Sequence, residues 1–271
     1  MSNEKSTGSM AAILPFIVIP VLLGISIWFY MFILGDSANF EGGDPDKGHP
    51  IKEGIGGWYG TIYKGGMIVP ILITILLTVI AFSVERFITI FKAKGRGNIE
   101  RFIRNVRNLI SNGQFDAAIA ECDRQQGSVA NVLRAGLEKY QMVEKDSTMD
   151  KEAKLTAIQK ELEEATSLEL PMLSKNLVII STCASISTLV GLIGTVVGMI
   201  RSFKALAQAG APDTVALSTG ISEALINTFI GILGSCIAII MYNYFSNRID
   251  ALTYGIDEAG FSVSQTFAAK N

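Results

Sequence analysis

The stretch that decides the fold is a pair of apolar runs, LVIISTCASISTLVGLIGTVVGMI (177–200) and ISEALINTFIGILGSCIAIIMYNYF (221–245). A short turn, Gly210-Ala211-Pro212-Asp213, lies in the segment between them. Each run is long enough to cross a bilayer, which takes about 20 residues at about 1.5 Å of rise each. Polar and small residues run through both at helical spacing. In the first they are Ser181, Ala184, Thr188, Gly191, Thr195, Gly198 and Ser202, and in the second Ala224, Thr228, Gly231, Ser235, Ala238 and Tyr242. Steps of three and four place each set on one face of a helix. Thr195 precedes the turn by about as many residues as Thr228 follows it. In an antiparallel hairpin the two then share one level, roughly 25 Å from the turn.

Two readings of these stripes stay open. Small residues and hydroxyls are common wherever membrane helices pack closely, and a buried threonine can satisfy itself on a carbonyl one turn back. Hydroxyls at matched depth also suit a hydrated interior surface. Glu223 sharpens the choice, because an ionisable residue inside a span costs a few kcal/mol and therefore usually faces an interior with a partner. Arg201 lies about as far before the turn as Glu223 lies after it, and is the nearest candidate. The competing reading has Glu223 reaching the interface or favouring the helix N-terminus.

Gly191-Leu192-Ile193-Gly194-Thr195-Val196-Val197-Gly198-Met199-Ile200, followed by Gly220-Ile221-Ser222-Glu223-Ala224-Leu225 with Thr228, Gly231 and Tyr242-Asn243, resembles the ExbB/TolQ branch of the MotA/TolQ/ExbB proton-channel family. The resemblance covers Leu177 to Arg248 and continues more loosely upstream to Phe82. It implies that Thr195 and Thr228 are pore-lining threonines and that Glu223 is the glutamate of the third family helix. It also implies a homo-oligomeric ring, a pentamer, around an ExbD/TolR-like single-span partner. The complex would drive a TonB- or TolA-like protein, with protons as the coupling ion and no cofactor. One departure stands out: the family often has proline where this chain has Thr188.

The rest of the chain fits an all-α polytopic membrane protein with four transmembrane helices, the long helices extending into a helical cytoplasmic domain. Hydrophobic residues make up 49% of the chain and mean hydropathy is +0.38, an integral-membrane composition. Residues 1–10 read as a cytoplasmic tail and 11–34 as an additional N-terminal transmembrane helix, too long for the apolar core of a secretory signal. Residues 35–66 read as a periplasmic loop with one turn of helix around Trp58-Tyr59. Residues 67–91 form the next span, closing on Glu85-Arg86. The basic cluster Lys92, Lys94, Arg96, Arg101, Arg104 and Arg107 follows, and cytoplasmic flanks collect such residues. Both termini are then cytoplasmic, and the resemblance implies that the membrane is a bacterial inner membrane.

Residues 92–176 read as a helical cytoplasmic domain. A stripe of Leu155, Ile158, Leu162, Ala165, Leu168 and Leu173 runs directly into residues 177–245, the pore-forming hairpin, as one long helix with a bend expected near Pro171. Residues 246–271 read as a cytoplasmic C-terminal helix with Ile249, Leu252, Ile256 and Phe261 as its apolar face.

For catalysis the sequence offers neither a phosphate-binding glycine loop nor a nucleophile with a histidine base, the lone His49 lying in the outer loop. Cys122, Cys183 and Cys236 have no metal-site spacing, and a net charge of −2 with no basic aromatic surface argues against nucleic acid. Neither apolar run carries Asp, Glu, Lys or His near its middle, so a titrating acid for a proton relay would come from a second chain. A flagellar-type, MotA-like stator and a non-conducting membrane scaffold are the alternative readings.

Overall fold

The computed structural model describes residues 4–45, 48–145, 147–208 and 214–270. The expected Gly210–Asp213 turn lies outside them. Among the described residues every regular element is a helix, apart from one isolated bridge between Phe40 and Pro50. The described residues form nine α-helices in order: α1 Glu4–Phe29, α2 Gly54–Tyr63, α3 Val69–Lys94, α4 Ile99–Ser111, α5 Phe115–Gln125, α6 Ser128–Glu144, α7 Lys151–Ser174, α8 Leu177–Gln208 and α9 Thr214–Lys270. Four stretches, Pro15–Leu34, Gly66–Ser111, Lys151–Ala207 and Ala216–Ala268, contain helix long and apolar enough to cross a membrane. The chain divides into two compact units, Met1–Ser83 with Ile179–Met241, and Val84–Val178 with Tyr242–Asn271. The division falls within α3, α8 and α9.

In the first unit, α1 begins at Glu4, inside the segment read as a tail, and its last turn widens into π-helix over Tyr30–Leu34. The Asn39 side chain closes this end by donating to the carbonyls of Ile33 (2.8 Å) and Leu34 (3.2 Å). Helix ends leave such carbonyls without partners, so an asparagine here removes a real cost. Residues 35–66 hold more structure than the single turn expected: α2 runs for 10 residues. The added helix is explained by packing. Tyr63 stacks on Tyr30 at 4.7 Å and meets Phe40 edge-on at 5.6 Å, and the Tyr30 hydroxyl donates to the Tyr63 carbonyl (3.1 Å). Leu34, Val69, Leu72 and Ile230 form the buried core beside these rings. The additional N-terminal helix is thereby joined through Leu34 to α3 and α9.

In the second unit, the helix expected to bend at Pro171 continues past it, with the Lys175 amide bonded to the Pro171 carbonyl (3.0 Å). The break comes at Asn176, whose φ of 64° is left-handed. Asparagine is among the few residues that tolerate that region. Ending α7 there orphans its last carbonyls, and Arg86 takes them: its guanidinium donates to the carbonyls of Met172 (3.3 Å) and Leu173 (3.1 Å). The same guanidinium forms a two-pronged pair with Glu85, at 2.7 and 2.5 Å, and the Asn176 amide also donates to Glu85 (3.3 Å). Arg86 is only 2% exposed, so all of its partners are needed to offset its burial.

On α4, Phe102, Ile103, Val106 and Ile110 are buried at helical spacing. On α7, Ile158, Leu162 and Leu173 are buried whereas Leu168 is exposed. On α9 the buried line is Ile249, Leu252, Ile256, Ala259, Val263 and Phe267; Phe261 is exposed. The periodic face selects Ala259 over the larger Phe261, because position along a 3.6-residue turn decides the contact and size does not.

Tyr140 centres this unit, its ring 4.3 Å from Phe115 and 4.9 Å from Phe267. Its hydroxyl is buried with no hydrogen-bond partner among the described residues. Burial, with Glu144 adding a like charge, pushes the phenol up to about 12. An unfolded tyrosine ionises near pH 10, so the unfolded chain releases this proton first as pH rises. The associated stability is complete below about pH 10 and is lost toward about pH 12. Tyr140→Phe removes an unsatisfied group and is expected to stabilise the chain by about 1 kcal/mol at neutral pH. Thermal unfolding at neutral and alkaline pH checks this: the variant must lose less stability than the parent above pH ~10.

Candidate functional site

Helices α8 and α9 come together along their small residues. A side chain carbon on Gly191 would meet the Asn227 carbonyl at 3.0 Å and the Gly231 Cα at 3.1 Å, and one on Gly198 would meet the Gly220 carbonyl at 2.7 Å. Such distances leave no room for a methyl group, so glycine sets the approach. Ala224 and Ala238 are buried on the same seam. Ser187, buried, donates across it to the Gly231 carbonyl (2.9 Å). Ser202 bonds to the carbonyls of Gly198 (3.1 Å) and Leu217 (3.2 Å).

The hydroxyls of Thr195 and Thr228 meet directly. Each also reaches a carbonyl one turn back, Thr195 to Gly191 (3.3 Å) and Thr228 to Ala224 (3.2 Å). Both side chains are half-buried within the single chain. They therefore sit at the edge of the helix pair, with one side against the seam and the other open. Thr188, from the same predicted stripe, is exposed, while Ser235 is buried. The stripe thus divides: its glycines and alanines hold the helices together, and its threonines lie at or beyond the margin.

Nearer the turn, Arg201 and Glu223 form an ion pair at 2.6 Å. By helix rise this lies about 8–9 Å from the threonine level. The burial is unequal, with side-chain exposures of 55% for Arg201 and 7% for Glu223. Gly66, with φ of 75°, packs under the carboxylate, and a side chain carbon there would meet Glu223 Oε1 at 2.5 Å. Glycine is needed on both counts, conformation and space.

Sequence reasoning passed over Asn227. It is fully buried, packs against Gly194, and donates from Nδ2 to the Gly65 carbonyl (2.8 Å), while its Oδ1 has no partner among the described residues. An asparagine inside an apolar run was itself a usable signal. It was missed because it lies one residue off the Thr228 face. Together Asn227 and Glu223 fix the Gly65-Gly66 junction, which leads into α3, against α9.

Among the described residues no three His, Cys, Asp or Glu side chains gather as a metal site. Cys122 is buried, and that burial, reinforced by Asp123 and Glu121, pushes its thiol up to about 12, so it is inert at neutral pH.

Comparison with known proteins gives a consistent picture. The sequence model of the MotA/TolQ/ExbB proton channel family matches residues 124–258. The chain is 31% identical over 186 residues to the Tol-Pal system protein TolQ of Pseudomonas aeruginosa, covering 66% of this chain and 79% of that protein. It is 26% identical over 197 residues to the biopolymer transport protein ExbB of Pseudomonas putida, covering 70% and 59%. A third similarity, 38% over 98 residues, is to TolQ of Haemophilus influenzae and covers 35% and 43%.

The uneven burial of the ion pair predicts an asymmetric response. Arg201→Gln strands a buried carboxylate and is expected to cost about 2–4 kcal/mol of stability. Glu223→Gln leaves only an exposed guanidinium and is expected to cost about 1 kcal/mol or less. Detergent unfolding of the two variants and their double mutant checks the order, the double resembling Glu223→Gln.

Proposed function

The chain belongs to the MotA/TolQ/ExbB proton channel family, and from that premise we propose that it is an ExbB/TolQ-like wall subunit of a proton-driven inner-membrane motor. With an ExbD/TolR-like single-span partner, it energises a TonB- or TolA-like protein for outer-membrane transport or envelope maintenance. A homo-pentamer of the chain surrounds the partner helices, and both termini are cytoplasmic.

The observation that carries this reading is a hydroxyl pair without an acid. Thr195 and Thr228 meet at one level of α8 and α9 and stay half-open in the single chain. From Leu177 to Ile200 and from Ala224 to Phe245 there is no Asp, Glu, Lys, Arg or His. Threonine accepts and donates hydrogen bonds but carries no charge at neutral pH. A wall of this kind solvates a proton carrier without being one. The carrier is a carboxylate on the partner helix, and the two hydroxyls hydrogen-bond it or its water. The Arg201–Glu223 pair holds the two wall helices in register near the turn. The driving force is the membrane potential, about 2.3 kcal/mol per elementary charge per 100 mV.

Thr195→Val and Thr228→Val keep the branched shape and delete the hydroxyl. In liposomes holding the chain with its partner, each is expected to lower proton flux roughly tenfold or more, the scale of one lost charge-assisted hydrogen bond, with assembly intact. Unchanged flux in both variants would remove the pore role. Flux equal to that of a complex whose partner lacks its aspartate, already in the unmutated chain, would leave only a scaffold.

A further inference from the structure

We propose that the groove between the end of α3 and the middle of α9 in the second unit binds one anionic phospholipid, with an acyl chain on its aromatic floor and the phosphate between Lys94 and Arg248. The groove is a cavity of about 330 Å³. Its floor is Ile90, Phe245 and Leu252, all buried, and its rim carries Phe87 and Phe91, which are 55% and 68% exposed. Exposed phenylalanines on the last turns of a transmembrane helix belong against hydrocarbon and not water.

The two cations follow the apolar part in order. Lys94 lies three residues beyond Phe91 on α3, and Arg248 three beyond Phe245 on α9. Each step is about 4.5 Å of rise, a little under one turn. On the membrane side of the two cations the groove is lined by Phe87, Ile90 and Phe91 of α3 and by Tyr244 and Phe245 of α9, so apolar surface leads up to positive charge as along a phospholipid from chain to headgroup; Ile99, Ala251 and Leu252 close the groove beyond the cations. The Arg248 guanidinium rests over the Tyr244 ring at 5.3 Å, which fixes its direction at the rim.

The groove has no acidic lining residue among the described residues. Among the described residues no carboxylate pairs with Lys94 or Arg248, although elsewhere in this unit Arg124 has one and Arg134 two. Leaving two cations unpaired above an apolar slot selects an anion with an apolar tail. Basic pockets between membrane helices recognise anionic headgroups in this way. The inference rests on the membrane-spanning helices alone and not on proton conduction.

Native mass spectrometry of the full-length chain in neutral detergent tests it, using phosphatidylglycerol and phosphatidylcholine of identical acyl chains. The unmutated chain is expected to retain one phosphatidylglycerol in clear preference to phosphatidylcholine. Lys94→Gln with Arg248→Gln keeps the side-chain length; it is expected to weaken phosphatidylglycerol about thirtyfold, each basic residue near a headgroup being worth about a fivefold factor. Ala251→Trp, which fills the groove and spares both cations, is expected to abolish retention of either lipid. Soluble glycerol phosphate is expected not to compete, because it lacks the chain. Equal retention of the two lipids by the unmutated chain, or full phosphatidylglycerol retention by the double glutamine variant, overturns the proposal. So does a change in oligomeric state in that variant with lipid retention unaltered, which would make the groove a contact between copies.

Discussion

The close approach of α8 and α9 is the constraint on which the first unit depends. Gly191, Gly198 and Gly231 leave backbone against backbone, and that distance brings three side-chain contacts within reach: Ser187 to the Gly231 carbonyl, Thr195 to Thr228, and Arg201 to Glu223. In a bilayer, hydrophobic burial does little to hold one helix on another, since lipid is as apolar as leucine. Packing and interhelical hydrogen bonds do the work instead. A methyl group on any of the three glycines would part the helices and loosen all three contacts together.

The same pair anchors what precedes it. Asn227 holds the Gly65 carbonyl and Glu223 lies against Gly66, so the entry to α3 is tied to the α9 face next to the one that carries Thr228. Leu34 joins the end of the additional N-terminal helix to Val69, Leu72 and Ile230. That helix is otherwise exposed over most of its described length, with Phe16, Ile17, Trp28 and Phe32 open. Such a surface suits contact with lipid along its flank and contact with protein mainly at its end.

What the sequence disclosed and what it hid follow from the same physics. The four spans, the seam glycines and the level of Thr195 and Thr228 were legible because length and period are local properties. The break between α7 and α8 was not legible, because the apolar stripe reads as one continuous helix, while the deciding event, Asn176 in a left-handed conformation, depends on Arg86 arriving from 86 residues earlier to take the carbonyls of Met172 and Leu173. The extent of α2 depended on the rings of Tyr30, Phe40 and Tyr63 meeting, which no local pattern encodes. Thr188 belonged to the stripe by spacing, yet it is exposed where Gly191, three residues on, is buried. A stripe read from a sequence has a width, and only the partner helix says which edge it covers.

An acid within the wall would be a poor substitute for one on a separate helix. A carboxylate beside the Thr195–Thr228 seam would have to be neutral or paired, because an isolated charge there faces a desolvation cost of several kcal/mol. Among the described residues the carboxylate this hairpin buries, Glu223, already has its arginine at 2.6 Å. Hydroxyls escape the conflict. They are neutral, they satisfy themselves on carbonyls one turn back when nothing else is present, and they turn to a passing polar group at little cost. A wall lined with them supports a mobile acid at several positions without trapping it at one. That is why the absence of a titrating residue from the middle of both helices favours the proposed division of labour, with the wall in this chain and the carrier in its partner.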